Sequence, residues 1–376
     1  MKGAVYMLKT RRYFFTVCFI LIIILISCTN HEYDQTEDRI TIGLINPNVY
    51  ALESFHALIE NNILNIPDVT LMAVCYDQVE RDIPALQRYI QDQVHPLYKL
   101  KVLSGTLTPE NIFHANDLSS QFEEVFSMTD GLFFLGGADI PPEVYQDKTS
   151  LLSSISTPKR HLFELSFLFH LLGGYQDSSQ VPLLEQDPSY KVIGFCLGMQ
   201  TLNVATGGSM IQDIPSEVYG LQYVEDVLAL ETNKIHRNYW QDLHPQDDMI
   251  SSNFHQIRTV KTHPFFDSDL LAAQEMPYVY SSHHQAVKQP GKNLEILATS
   301  RDGKIVEIIA HKVYRNVFAV QFHPEVAALY QENGKKMKWI PDDPHPRTYY
   351  DFLTEKHSLE FHKKFWRKIN TLYTSP

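Results

Sequence analysis

The sequence predicts an α/β fold: a mostly parallel sheet flanked by helices, with a C-terminal extension of antiparallel strands. Three observations carry that expectation. Continuous apolar runs of strand length alternate with segments of helical spacing from residue 39 to residue 205, the pattern of strands buried on both faces. A lone cysteine, Cys196, stands between Gly194 and Gly198 where one such run gives way to a helical pattern. Beyond Gly291 the strands crowd together with no helix between them.

Taken in order, residues 39–47 form a first buried strand that stops at Pro47, and residues 51–63 have helical spacing. Residues 70–76 are a second strand. The stretch 83–101 is ambiguous, with helical periodicity near 86–94. Residues 119–128 read as a helix, followed by a strand from 131 to 135. A strongly apolar helical pattern fills 159–173 and ends at Gly173-Gly174, where glycine can close a helix. Residues 214–260 are polar, rich in His, Asp and Asn, and poorly periodic; they read as a long insertion beside the site. Strands follow at 294–299, 305–311 and 317–322, the first two joined by an Asp302-Gly303 turn. An amphipathic helix is expected near 350–372.

The chemistry-bearing residues fall at strand ends. Cys196 sits at the apex of a strand–turn–helix, a nucleophile elbow whose tight turn requires small neighbours. The following helix N-terminus offers unpaired N–H groups that favour an anion there. Far downstream, Gln321-Phe-His323-Pro-Glu325 supplies a base and a carboxylate at the end of another apolar strand. His323 is expected to take the thiol proton, and Glu325 to hold the imidazole in the right tautomer. Gly136-Gly137 follows a strand, so its loop lies at the carboxyl edge of the sheet, where ligands bind in such folds. Gln200 lies about one helical turn beyond the cysteine and could face a substrate. Arg160 and Glu164, four apart on a helix, read as a simple ion pair.

Four blocks in one order carry a family resemblance: residues 130–142 with Gly136-Gly137 and Asp139, the cysteine elbow running into residues 207–214, Ser282-His283-His284-Gln285, and Gln321 to Glu325. Together they resemble class I glutamine amidotransferase-type hydrolases, and within them the γ-glutamyl-γ-aminobutyrate hydrolase family of cysteine peptidases (family C26). The resemblance covers roughly residues 40–330 and implies a flavodoxin-like, class I glutamine amidotransferase-like fold. It also implies that the N–H groups of Gly137 and Leu197 form an oxyanion hole, with Gly136 beside it. The block His283, His284, Gln285 would lie near the substrate, although adjacent histidines could instead pair with loop carbonyls or bind adventitious metal. His161 stands where that family often has Asp after Arg, so no role is carried over to it.

Charge and targeting signals bound the setting. The chain has 376 residues and a net charge of −12. Residues 1–28 hold Lys2, Lys9, Arg11 and Arg12 and no acid, so the remainder carries −16, a poor match for nucleic acid. The apolar run 13–27 is short for a membrane span and suits a signal h-region. Leu25-Ile-Ser-Cys28 resembles a lipoprotein cleavage box that would place a lipid on Cys28; a plain signal peptide or an uncleaved anchor is the other reading, and Met7 could be the start. The expected organisation is a signal peptide over 1–28, a tether over 29–39, a hydrolase domain over 40–330 and a C-terminal extension over 331–376. Cys75, in an apolar run, reads as a buried core thiol. No CxxC or zinc-type spacing appears, and the expected chemistry needs no metal or organic cofactor.

These readings converge on an exported, lipid-anchored cysteine hydrolase that cleaves a small γ-glutamyl amide through a thioester. A glutaminase that passes ammonia to a partner, and a surface binding protein that kept the fold without turnover, are the alternatives.

Overall fold

The computed structural model describes residues 39–79, 83–92, 97–272 and 275–374. The expected signal segment, Cys28 and nearly all of the tether lie outside them. Chain order is β1 (Thr41–Ile45), α1 (Val49–Glu60), β2 (Thr70–Tyr76), α2 (Ile83–Asp92), β3 (Tyr98–Leu103), α3 (Ser119–Met128), β4 (Gly131–Phe134), α4 (Pro158–Leu172), β5 (Lys191–Phe195), α5 (Leu197–Ala205) and β6 (Ser209–Ile211). It continues with α6 (Ile214–Tyr219), α7 (Val224–Leu228), α8 (Trp240–Leu243), β7 (Asn253–Thr259), β8 (Tyr278–Ser281), β9 (Ala286–Gln289), β10 (Leu294–Ser300), β11 (Val306–His311), β12 (Val317–Val320), α9 (Tyr349–Glu355) and α10 (Leu359–Thr374).

Ten of the described strands form one sheet in the order β3-β2-β1-β4-β5-β12-β11-β10-β7-β8. The first six run parallel and the remaining four antiparallel. From β1 the chain steps outward to β2 and β3, then returns across β1 to β4 and β5. Strand order therefore reverses between β1 and β4, and the crevice at the carboxyl ends of these strands is where such sheets bind ligands.

Side chains alternate between the two faces of the sheet, as strand geometry demands. Phe133, Ile193, Phe195, Phe318 and Val320 enter one core with Phe55 of α1 and Phe365, Trp366 and Ile369 of α10. Phe134, Val192, Val317 and Ala319 enter the other with Phe122 of α3, Phe163 of α4 and Leu202 of α5. Helix α4 lies between α3, α5 and the sheet, so residues 160–172 are all buried.

Several expectations change. The ambiguous stretch 83–101 resolves into α2 and the edge strand β3, whose sequence YKLKVL alternates polar and apolar residues. Residues 253–259 are not loop. They form β7, inserted between β8 and β10, and hence part of the expected insertion belongs to the main sheet. Its sequence NFHQIRT concealed a strand because two polar residues, Asn253 and His255, face inward. The expected tail helix is two helices, broken where His357 adopts φ 53°. Cys75 is buried in β2, as expected. No helix among the described residues is long and apolar enough to cross a membrane.

Candidate active site

The carboxyl ends of β4, β5 and β12, three adjacent parallel strands, bring the site together. Cys196 follows β5 directly and adopts φ 51°, ψ −104°, a conformation that costs a non-glycine residue about 1–3 kcal/mol. Its surroundings hold it there. The Cys196 N–H donates to the Val320 carbonyl (2.8 Å), and its own carbonyl accepts from the N–H groups of Met199 (3.0 Å) and Gln200 (3.3 Å). The flanking glycines are required by close approach: a Cβ on Gly198 would lie 2.7 Å from the carbonyl carbon of Phe134, and one on Gly194 would lie 2.7 Å from the backbone of Gly198.

Beyond β12, His323 Nδ1 lies 2.7 Å from Glu325 Oε1. Cys196 is the other group that acts on this ring, through its sulfur and hydrogen bonding to the thiol. Burial, the largest influence, pushes the imidazole toward its neutral form. The charge on Glu325, the sulfur of Cys196 and the two hydrogen bonds overcome it, and the histidine stays protonated well above its ordinary range. Pro324, between the two side chains, has its carbonyl fixed by Trp366 Nε1 (2.9 Å) and the Tyr330 hydroxyl (2.8 Å). The Glu325 carbonyl accepts from Ser54 Oγ (2.7 Å). The C-terminal helix thus braces the His–Pro–Glu segment, a support the sequence did not announce.

Gly136 and Gly137 leave β4 beneath this histidine. A Cβ on Gly136 would lie 2.8 Å from His323 Cε1, and one on Gly137 would lie 2.6 Å from the Leu197 side chain. Arg160 and Glu164 do form the expected ion pair, and Arg160 does more than that. It is buried, donates through Nε to Glu164 (2.6 Å), and through one terminal nitrogen reaches the carbonyls of Leu135 (3.1 Å) and Gly136 (2.9 Å). Asn46 adds a bond to the same Glu164 oxygen (3.3 Å). With two successive carbonyls held, the loop is fixed, and Gly137 packs against the Leu197 side chain. Neither the Gly137 N–H nor the Leu197 N–H is engaged by an acceptor among the described residues. Such an arrangement can generate a thiolate, present an acyl carbonyl to it and hold the resulting oxyanion.

The expected substrate contacts fare differently. Gly136 lines a cleft of about 280 Å³ with His323 and Glu325. Asn48, Tyr50, Ser252, Tyr280 and Ser282 line it too, residues that sequence reading missed except for Ser282, the first residue of the His-His-Gln block. His283, Gln285 and Gln200 do not line this cleft. They are only 4%, 1% and 4% exposed. His283 Nδ1 is engaged by the Gln285 carbonyl (2.9 Å), Gln285 donates to the Gln212 carbonyl (3.2 Å), and Gln200 Nε2 points to the Gln285 carbonyl (3.4 Å). His284 does not line it either. Its Nδ1 lies 3.1 Å from Asp213 and its Nε2 3.1 Å from Asp139, so both nitrogens are occupied by carboxylates. Burial pushes this imidazole down, but the two aspartates outweigh it and hold it at about 9. It acts as a cationic clasp between the loop after β4 and the N-terminus of α6, where Asp213 caps Ser216 N–H (2.9 Å). Sequence spacing could not separate a clasp from a contact, because Asp139 is 145 residues away.

A cysteine elbow, a histidine–carboxylate pair on the neighbouring strand and a glycine loop at one sheet edge define an amide-bond hydrolase of the glutamine amidotransferase type. The Peptidase C26 family model matches residues 87–325, and the chain belongs to that family. Among its relatives, the glutamine amidotransferase-like protein YvdE of Lactococcus lactis is 25% identical over 221 residues, 59% of this chain and 76% of that one. A glutamine amidotransferase-like protein of Rickettsia prowazekii is 28% identical over 227 residues, 55% of this chain and 74% of the other. A solved glutamine amidotransferase from Thermotoga maritima aligns over 89% of this chain and 96% of its own, at 14% identity and a TM-score of 0.37.

Proposed function

We propose that the chain is an exported, lipid-anchored hydrolase of small γ-glutamyl amides, attached to a membrane through Cys28. Cys196 attacks the γ-carbonyl while His323 holds the thiol proton, and the oxyanion is met by the N–H groups of Gly137 and Leu197. Collapse breaks the C–N bond. The leaving amine takes the proton from His323, and a γ-glutamyl thioester remains on Cys196. Water, deprotonated by His323, then releases glutamate and restores the thiol. Glu325 keeps Nδ1 of His323 occupied so that Nε2 serves the sulfur.

The observation that carries this proposal is the alignment of Cys196, His323 and Glu325 beside the Gly136-Gly137 loop. Support for a glutamyl head group comes from the adjoining cleft, small and walled by Asn48, Ser252 and Ser282, whose polar groups suit an α-amino and an α-carboxylate. The test compares γ-Glu-Ala, α-Glu-Ala and glutamine by released glutamate. A site that pairs such groups rejects a misplaced analogue by up to roughly 10⁴-fold. Comparable kcat/KM for the γ and α dipeptides would remove the γ-glutamyl assignment, and a preference for glutamine alone would favour a glutaminase. Export is checked separately: Cys28→Ser should abolish lipid labelling and shift the chain out of the membrane fraction.

A further inference from the structure

On the antiparallel half of the sheet lies a second cluster of titratable groups that the hydrolase chemistry does not use. His255 of β7 and Glu307 of β11 face each other, with His255 Nε2 2.9 Å from Glu307 Oε1. His236, from the loop before α8, brings Nδ1 to 3.4 Å from the same oxygen. The His236 and His255 rings are 4.2 Å apart, and the ring of His283 is 4.9 Å from that of His236. All four side chains are buried, at 2%, 0%, 0% and 4% exposure for His236, His255, Glu307 and His283.

The cluster holds more lone pairs than protons. Two imidazoles converge on one carboxylate oxygen. Meanwhile Glu307 Oε2, His255 Nδ1, both ring nitrogens of His236 and His283 Nε2 have no hydrogen-bond partner among the described residues. Neutral imidazoles carry one N–H each, and that of His283 faces the Gln285 carbonyl. Burying a carboxylate and several imidazole lone pairs without donors is unfavourable unless a cation accepts them.

We propose that His236, His255 and Glu307 form a buried site for a divalent transition-metal ion of the zinc class, with His283 beside it. The three residues each offer a donor atom, and these donors lie within 4.8 Å of one another. Zinc bonds of about 2.0–2.1 Å place tetrahedral donors roughly 3.3 Å apart, so small side-chain shifts seat the ion. Two imidazoles and one carboxylate are a borderline donor set that suits zinc, cobalt or nickel and not the all-oxygen preference of calcium or magnesium. Near-complete burial makes the ion structural: it would pin β7 and the loop carrying His236 to β11. Glu307 is also tied to the active site, because its carbonyl accepts from Gln321 N–H (2.9 Å), two residues before His323. The ligands come from three separated segments, which is why no metal-binding spacing appears in the sequence.

The experiment uses the full chain carrying Cys196→Ala, so that the active-site thiol cannot take an ion. After chelator treatment, zinc or cobalt is titrated and bound metal is counted by elemental analysis. The expected result is one ion per chain, a melting temperature raised by several degrees, and cobalt ligand-field bands without sulfur charge transfer. His255→Asn and Glu307→Gln should each lower metal affinity at least tenfold. Should either fail to fold, the cobalt spectrum and stoichiometry of the parent decide. No bound metal together with a melting point indifferent to zinc and chelator overturns the site. So does one ion that persists in a folded His255→Asn chain.

Discussion

Replacing His284 by Gln should cost stability in a pH-dependent way. Held at about 9, well above the 6.5 of a free histidine, the imidazole keeps its proton more tightly in the fold, at about 1.36 kcal/mol for each tenfold in proton affinity. The clasp thus contributes on the order of 3 kcal/mol. It does so because a folded-state pKa raised above the unfolded value means that the fold binds the proton more tightly than the unfolded chain does, so the protonated histidine favours folding. That stabilisation is complete below about pH 6.5 and fades as pH rises through about 9. Melting curves of the wild type and His284→Gln at intervals from pH 6 to pH 10 measure it. For a chain this long, roughly 2 °C per kcal/mol gives a gap of about 6 °C at pH 6. By pH 10 the gap should shrink to what remains from lost packing and from the repulsion of Asp139 and Asp213. A gap that stays constant across this range, or widens with pH, would refute the charged clasp.

Cys196→Ala should abolish γ-glutamyl hydrolysis and shift the melting point by no more than a few degrees; turnover in a folded mutant would sink the thioester route. Trp366→Phe keeps an aromatic ring in the core but removes the indole N–H bond to Pro324, a loss of about 1 kcal/mol, with a further cost from the space left by the smaller side chain. Its signature should be a several-fold fall in kcat with the alkaline limb of kcat/KM moved to lower pH, because a looser Glu325 supports His323 less. An unchanged pH profile would leave Trp366 as packing alone. Gly198→Ala drives a methyl against the Phe134 carbonyl and should destabilise by about 1–3 kcal/mol, read by urea titration; a stability equal to wild type would mean that the elbow can open.

The sequence alone determined the parallel sheet, the elbow and the residues around Cys196, His323 and Glu325, because each is written in local chemistry. Continuous apolar runs specify buried strands, paired glycines specify a sharp turn, and His-Pro-Glu after a strand specifies a base with its carboxylate. Tertiary structure decided everything that depends on partners far along the chain. His284 became a clasp because Asp139 and Asp213 meet there. His283, Gln285 and Gln200 became framework because their polar atoms face inward, and the cleft took Tyr50 and Ser252 from segments with no motif. Strand β7 escaped notice because its inward side chains include His255 and Asn253, which find partners in Glu307 and in the carbonyls of Thr232 and Ile235. A buried polar residue looks like an exposed one in sequence, and only the groups packed against it distinguish the two.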